Sequence, residues 1–272
     1  VKKPVTEIKT PIVASWNNAE AYERYMGRWS GLVAREFVSW LAVPPQHRWL
    51  EIGCGTGALT QAIIELGSPK AVRATDLSAD FVAFARSRVN DARASFAVMD
   101  AAAPATEPGA YDIAVSGLLL NNVPNPAAAL GKMALAIADG GTVASYVWDY
   151  ADGMQFLRYF WDAVSELDGN ASSLDEGKRF PLCRPEALRK LFEEAGLRGI
   201  AVDSIKVPTE FASFEDYWRP FEGGQGPAPG YVSTLGPQKR AELKKRLSET
   251  LPISEDGSIR LTAKAWAVRG SK

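Results

Sequence analysis

Three glycines at alternate positions, Gly53, Gly55 and Gly57, follow directly on the short apolar run Trp49-Leu50-Glu51-Ile52. Asp76 lies nineteen residues past the last of them, at the end of a second apolar run. Glycine permits a tight turn and brings side-chain-free backbone against a ligand. A carboxylate at that distance stands where the acid at the end of the second strand binds a ribose. Behind the glycines, residues 58–64 have helix-compatible composition, with Leu59, Ile63 and Ile64 on one side. Strand, glycine turn and helix together open a nucleotide-binding βαβ unit.

The surrounding elements repeat that unit. Residues 70–76, 94–99, 111–116 and 142–148 read as further strands, and Asp100 follows the third strand of the chain. Between them lie helices over residues 79–90, with Ser78 as N-cap, and from Pro124–Pro126 through Ile137. Strict alternation implies a parallel sheet covered on both faces. Asn121 and Asn122 then sit at the end of the fourth strand, and Asp149 and Tyr150 at the end of the fifth, where acceptor-facing groups belong. Past residue 150 the rhythm changes. Residues 154–167 form an aromatic-rich helix, 168–182 a polar loop, 185–195 a helix and 200–207 a strand. Residues 211–221 are aromatic, 223–236 a mobile Gly/Pro surface loop, 237–250 a charged helix and 260–268 a last strand.

Ahead of the unit, residues 1–15 read as an extended arm and 17–40 as a helix with Tyr22, Tyr25, Met26 and Trp29 at three- and four-residue spacing. That helix either packs its aromatics on the body or closes as a lid over the glycine turn. With no repeat or clear linker, one domain spans 1–272. It comprises an arm and lid (1–45), a cofactor-binding core (46–150), cap elements (151–183 and 208–237) and completion of the sheet (184–207 and 238–272).

Composition narrows the function classes. Apolar residues at 46% and charged ones at 23% suit an ordinary globule, and a net charge of −1 supplies no global field for a nucleic-acid backbone. The apolar runs are too short to span a bilayer. Two cysteines, Cys54 and Cys183, make neither a disulfide framework nor a cysteine zinc site, and no metal site is read. No secretory leader is read, so cytoplasm is the expected location.

The run Glu51-Ile52-Gly53-Cys54-Gly55-Thr56-Gly57 resembles the first motif of class I S-adenosylmethionine-dependent methyltransferases, usually (D/E)xGxGxG. Asp76, Asp100, Tyr111-Asp112 and Gly140-Gly141 agree with the family in order and spacing, and the resemblance covers roughly residues 22–197. It is nearest the small-molecule branch, methyltransferase type 11 or quinone-methyltransferase-like. The resemblance implies an α/β, doubly wound, seven-stranded and mostly parallel sheet, Rossmann-like, with the last strand antiparallel. An N-terminal helical lid and an inserted cap complete that expected fold.

The resemblance also implies S-adenosyl-L-methionine as cofactor and S-adenosyl-L-homocysteine as product. Gly53 and Gly55 would lie against its methionine portion, Asp76 on the ribose hydroxyls, and Leu77 and Met99 across the adenine. Asp100 would accept from the adenine amine, with Glu51, Cys54 and Ala101 completing the set. In the lid, Arg28 is expected on the methionine carboxylate (Arg24 is the alternative), with Tyr25 and Trp29 shielding the sulfonium.

Methyl transfer is an in-line displacement that needs a base only when the nucleophile arrives protonated. No base is assigned, and His47, before the first strand, is rejected. Both the Asn/Asp-Pro-Pro-aromatic tetrad and the Pro-Cys pair are absent at the fourth strand. A small acceptor is therefore expected, apolar or aromatic to match the cap, with no nucleic acid, no membrane insertion, and a monomer or homodimer. Gly53-x-Gly55-x-x-Ala58 also satisfies the NAD(P) fingerprint, so an oxidoreductase is one alternative. A non-catalytic S-adenosylmethionine-binding protein is the other.

Overall fold

The computed structural model describes residues 18–102, 107–223 and 226–272. The expected arm over residues 1–15 lies outside them.

Asn18 caps helix α1 (Ala19–Tyr22), its side chain accepting from the Ala21 N–H at 2.9 Å. A π-helical turn, Glu23–Gly27, connects α1 to α2 (Arg28–Leu41). Strand β1 (Arg48–Ile52), with Trp49 to Ile52 all buried, is a central parallel strand covered on both faces. Then follow α3 (Ala58–Leu66), β2 (Ala71–Asp76), α4 (Ala79–Arg88), β3 (Ala94–Val98), β4 (Tyr111–Gly117), α5 (Pro126–Ala136) and β5 (Ile137–Trp148). Ser78 caps α4 as expected, accepting from the Phe81 N–H at 3.3 Å.

The remaining elements are α6 (Gln155–Leu167), a 3₁₀ turn (Gly169–Leu174), α7 (Glu176–Arg179), α8 (Pro185–Glu194) and β6 (Arg198–Phe211). Helix α9 (Phe214–Trp218), a 3₁₀ turn (Arg219–Gly223), α10 (Pro227–Thr234), α11 (Pro237–Thr250) and β7 (Ile259–Ser271) close the chain. The sheet has seven strands in the order β3-β2-β1-β4-β5-β7-β6, with β7 antiparallel to both of its neighbours. The chain leaves β1 first toward β2 and β3, then returns on its other side as β4. That reversal opens a crevice at the carboxyl ends of β1 and β4.

Two stretches expected as loops hold helical elements instead. Residues 168–182 hold the first 3₁₀ turn and α7, with Asp175 and Glu176 buried. Within 223–236, α10 buries Pro227 through Val232; its prolines occupy the first helical turn, where a missing N–H costs nothing. The aromatic side chains of residues 156–161 and 211–221 largely pack as core. Phe156 lies 4.8 Å from Phe221 and Phe160 stacks on Phe221 at 4.4 Å between ring centroids, with Tyr217 donating to the Phe156 carbonyl.

Candidate active site

A cavity of about 500 Å³ fills the crevice. Its walls come from the carboxyl ends of five strands: Gly53 and Gly55 after β1, Asp76 and Leu77 at β2, Met99 to Ala102 after β3, Gly117 to Leu119 at β4, and Trp148 and Tyr150 at β5. Each strand contributes its terminal residues because parallel strands all end on the same side.

The glycine turn is built for close approach. Gly53, Gly55 and Gly57 have φ of +75°, +51° and +85°, the left-handed region that favours glycine. A Cβ on Gly53 would stand 2.7 Å from the Leu119 side chain, whereas one on Gly55 would project into open space. The Asp76 carboxylate accepts from the Gly55 N–H at 2.9 Å through one oxygen and from the Ser78 N–H at 2.9 Å through the other. Burial pushes its pKa up, against the backbone donors that hold it down. Leu77 is 70% exposed over the cavity mouth, and Asp100 accepts from the Ala102 N–H at 2.8 Å.

Two members of the expected cofactor set lie beneath the turn, off the cavity wall. Glu51 is 1% exposed and accepts from the Thr60 hydroxyl at 2.5 Å; burial pushes its pKa up to about 8, so it carries its proton at neutral pH. Cys54 is likewise buried, and burial pushes its thiol upward.

The N-terminal helix meets the site through members of its periodic set other than those expected. Tyr22 and Met26, one turn apart, line the cavity. Trp29 is buried against Phe156 at 5.2 Å and Phe211 at 5.4 Å, and Tyr25 against Phe156 at 5.9 Å. Arg28 is corrected most. Its guanidinium donates to both Asp216 oxygens at 2.9 and 3.1 Å and to the Glu210 carbonyl at 2.9 Å, away from the cavity. Arg24 pairs with Glu20 at 3.7 Å on the surface. Burying Tyr25 and Trp29 in the aromatic core turns both arginines outward. The helix is instead fastened by Glu23, which accepts from the Thr56 hydroxyl at 2.6 Å and pairs with Arg88 at 3.1 Å. Gly27 makes room, since a Cβ there would stand 2.6 Å from the Glu23 carboxylate.

On the acceptor side, Asn122 and Tyr150 line the cavity, and Asn122 Nδ2 donates to the Leu118 carbonyl at 3.0 Å. Asn121 stands beside the Tyr150 hydroxyl without closing a bond of good geometry. Asp149 does not face the cavity: it is buried, paired with Lys264 of β7 at 2.7 Å, and accepts from the Asp152 N–H at 3.2 Å. His47 lies at the opposite edge of the sheet, its Nδ1 2.8 Å from the Pro44 carbonyl. Among the described residues no group of three or more His, Cys, Asp or Glu is placed to hold a metal, and no helix is long and apolar enough to cross a membrane.

Sequence reasoning missed Tyr22 and Met26, although both belong to the periodic face it singled out, and Phe81 and Leu119, which complete the wall. It also missed Glu176, which borders a small second cavity and stands in a stretch that reads as loop.

The family described as a methyltransferase domain matches residues 22–202. The ubiquinone biosynthesis O-methyltransferase of Burkholderia pseudomallei is 29% identical over 178 residues, covering 62% of this chain and 73% of its own. Among solved structures, Haemonchus contortus phosphoethanolamine N-methyltransferase 2, in complex with phosphomonomethylethanolamine and S-adenosylhomocysteine, superposes with a TM-score of 0.55. It is 20% identical and covers 93% of this chain and 57% of its own. The YcgJ protein of Bacillus subtilis superposes at 0.54, with 14% identity over 90% of this chain and 98% of its own. The nicotinamide and non-catalytic alternatives gain no support from these matches. With its strand order, glycine turn and matched span in agreement, the chain belongs to the methyltransferase domain family and is a class I S-adenosylmethionine-dependent methyltransferase.

Proposed function

We propose that the protein moves a methyl group from S-adenosylmethionine to a hydroxyl of a small, largely apolar acceptor. The observation that carries this is the crevice between β1 and β4, where bare backbone at Gly55 meets carboxylates at the ends of two successive strands.

The residues present fit the cofactor. Open space at Gly55 admits a close-lying chain, and each Asp76 oxygen keeps lone-pair capacity beyond its one backbone donor for a ribose hydroxyl. Gly53 and Gly55 would hold the methionine portion, Leu77 and Met99 the adenine faces, and Asp100 the adenine amine, with Ala101 beside it. Among the described lining residues there is no Arg or Lys, so the methionine carboxylate would rest on backbone N–H groups at the start of α3. Glu51 and Cys54 would support that floor from below. When bound, the cofactor supplies a methyl group already activated on a sulfonium.

The protein's part is positioning and water exclusion. Met26, Leu119 and Trp148 give the cavity an apolar wall beside Asn122 and Tyr150, which can orient a polar group of the acceptor. Oxygen as the methylated atom follows the curated relative named as an O-methyltransferase. The partition into lid, cofactor core and cap, a cytoplasmic location, and a monomer or homodimer without nucleic-acid partners belong to the same proposal. Calorimetry with S-adenosylhomocysteine and NAD tests the reading, followed by tritiated-methyl transfer to hydroxylated aromatics. Binding of NAD in place of S-adenosylhomocysteine would overturn it.

A further inference from the structure

Among the described residues, Glu176 is the one acid bordering the small inner cavity next to the main one. That inner cavity is lined by Tyr25, Met26, Asn122, Tyr150, Phe180 and Glu176, among others. Met26, Asn122 and Tyr150 line the main cavity as well, so the two cavities adjoin along these shared side chains. The inner volume is about 10 Å³, room for a single water.

A buried acid needs a reason. Glu176 is 2% exposed and accepts from the Trp161 indole N–H. Its neighbour Asp175 is committed to Arg158 of α6 (Nη1 to Oδ2 3.0 Å), so Arg158 does not neutralise Glu176 directly. Among the described residues, Tyr25 of the N-terminal helix and Tyr150 after β5 are further titratable groups near it. Burial holds both phenols well above their ordinary range, so they remain protonated.

We propose that Glu176 takes the proton from the methyl acceptor's hydroxyl, through one water in the inner cavity beside Tyr150. This rests on the methyl-transfer reading above. The acceptor's O–H bond breaks and its electron pair stays on oxygen to form the new C–O bond. The S–C bond of S-adenosylmethionine breaks with its pair left on sulfur, giving S-adenosylhomocysteine. The proton ends on the Glu176 carboxylate and leaves to solvent with the product. Burial and Asp175 push the Glu176 pKa up to about 7, against the Trp161 N–H and Arg158. A base titrating there is suited to neutral pH.

The test uses the full chain with S-adenosylhomocysteine bound and 4-nitrocatechol as the hydroxyl probe, whose colour reports its ionisation. The Trp161 indole N–H resonance and the probe's absorbance are followed between about pH 5 and 9 in wild type, Glu176→Gln and Glu176→Asp. The proposal expects a Trp161 midpoint near 7 in wild type that nitrocatechol displaces, and no midpoint in Glu176→Gln. It also expects bound probe to ionise at lower pH than free probe in wild type, with partial recovery of this effect in Glu176→Asp. With S-adenosylmethionine in place of S-adenosylhomocysteine, methyl transfer to the probe should fall by about a hundredfold in Glu176→Gln. A Trp161 resonance flat with pH, a probe that does not bind, or equal ionisation on Glu176→Gln would overturn it. The wild-type readings stand even if a variant does not fold. Wild type that fails to bind S-adenosylhomocysteine overturns the methyltransferase reading and this proposal together; binding with a flat Trp161 overturns this proposal alone.

Discussion

Glu51 and Asp76 show how one site separates two carboxyls by depth. Glu51, beneath the glycine turn, is raised to about 8 by burial, well above a carboxylate in the unfolded chain. A folded-state pKa above the unfolded one means that the folded state holds the proton more tightly. That contribution to stability is complete below the unfolded value near 4.5 and is lost as pH rises through about 8. Wild type should therefore lose thermal stability between those limits, and Glu51→Gln should lose less; melting curves across pH check this. Asp76 instead faces the cavity. Asp76→Ala should weaken S-adenosylhomocysteine binding by about 1–3 kcal/mol, because ribose hydroxyls lose an acceptor and the Gly55 N–H loses its partner. Calorimetry on the folded variant measures it, and unchanged affinity would sink the ribose assignment.

Among elements, the N-terminal helix has two attachments with different consequences. Glu23 joins its π-helical turn to Thr56 in the glycine turn, next to the proposed cofactor floor. Glu23→Ala and Thr56→Val should each weaken S-adenosylhomocysteine binding, and a double-mutant cycle should show coupling of about 0.5–3 kcal/mol. Additive losses would mean that the contact transmits nothing. Arg28 joins the same helix to α9 through Asp216, part-exposed and stacked 5.3 Å over the Phe211 ring. Arg28→Ala should then cost stability, on the order of 1 kcal/mol or less for a solvent-screened pair, and leave ligand affinity unchanged. An affinity loss without a stability loss would restore Arg28 to the cofactor.

At the scale of the whole molecule, β7 and the aromatic cluster bind the late half of the chain to the nucleotide unit. Strand β7 lies between β5 and β6, and its Lys264 neutralises buried Asp149 at the end of β5. Phe156 contacts Tyr25 and Trp29 from the N-terminal helix, Phe211 at the end of β6, Tyr217 of α9 and Phe221 of the 3₁₀ turn that follows it. Phe156→Ala should cost about 3–5 kcal/mol, as for other large buried rings. It should also increase hydrogen exchange in residues 19–30 more than in β1 or β4, since the helix loses its anchor while the sheet does not. Uniform loosening would show that the helix and sheet form one cooperative unit.

The sequence by itself determined whatever is encoded over short spans. Alternating apolar runs placed the strands, Ser78 marked a helix start, and the glycines with Asp76 and Asp100 marked the cavity floor, because turn geometry and strand ends depend on near neighbours. Tertiary structure decided which face of each element meets the site. Tyr25, Arg28 and Trp29 lie on the same helix as Tyr22 and Met26, and only packing against residues as distant as Phe211 and Asp216 turned the first three away. Asp149 looked available until β7, closing the sheet from the far end of the chain, brought Lys264 beside it. Glu176 looked like loop polarity because nothing local predicts its burial; Trp161 and Tyr150 enclose it only once α6 and the end of β5 are in place. Periodicity fixes which residues share a face, but the partner that buries that face is set by contacts remote in sequence.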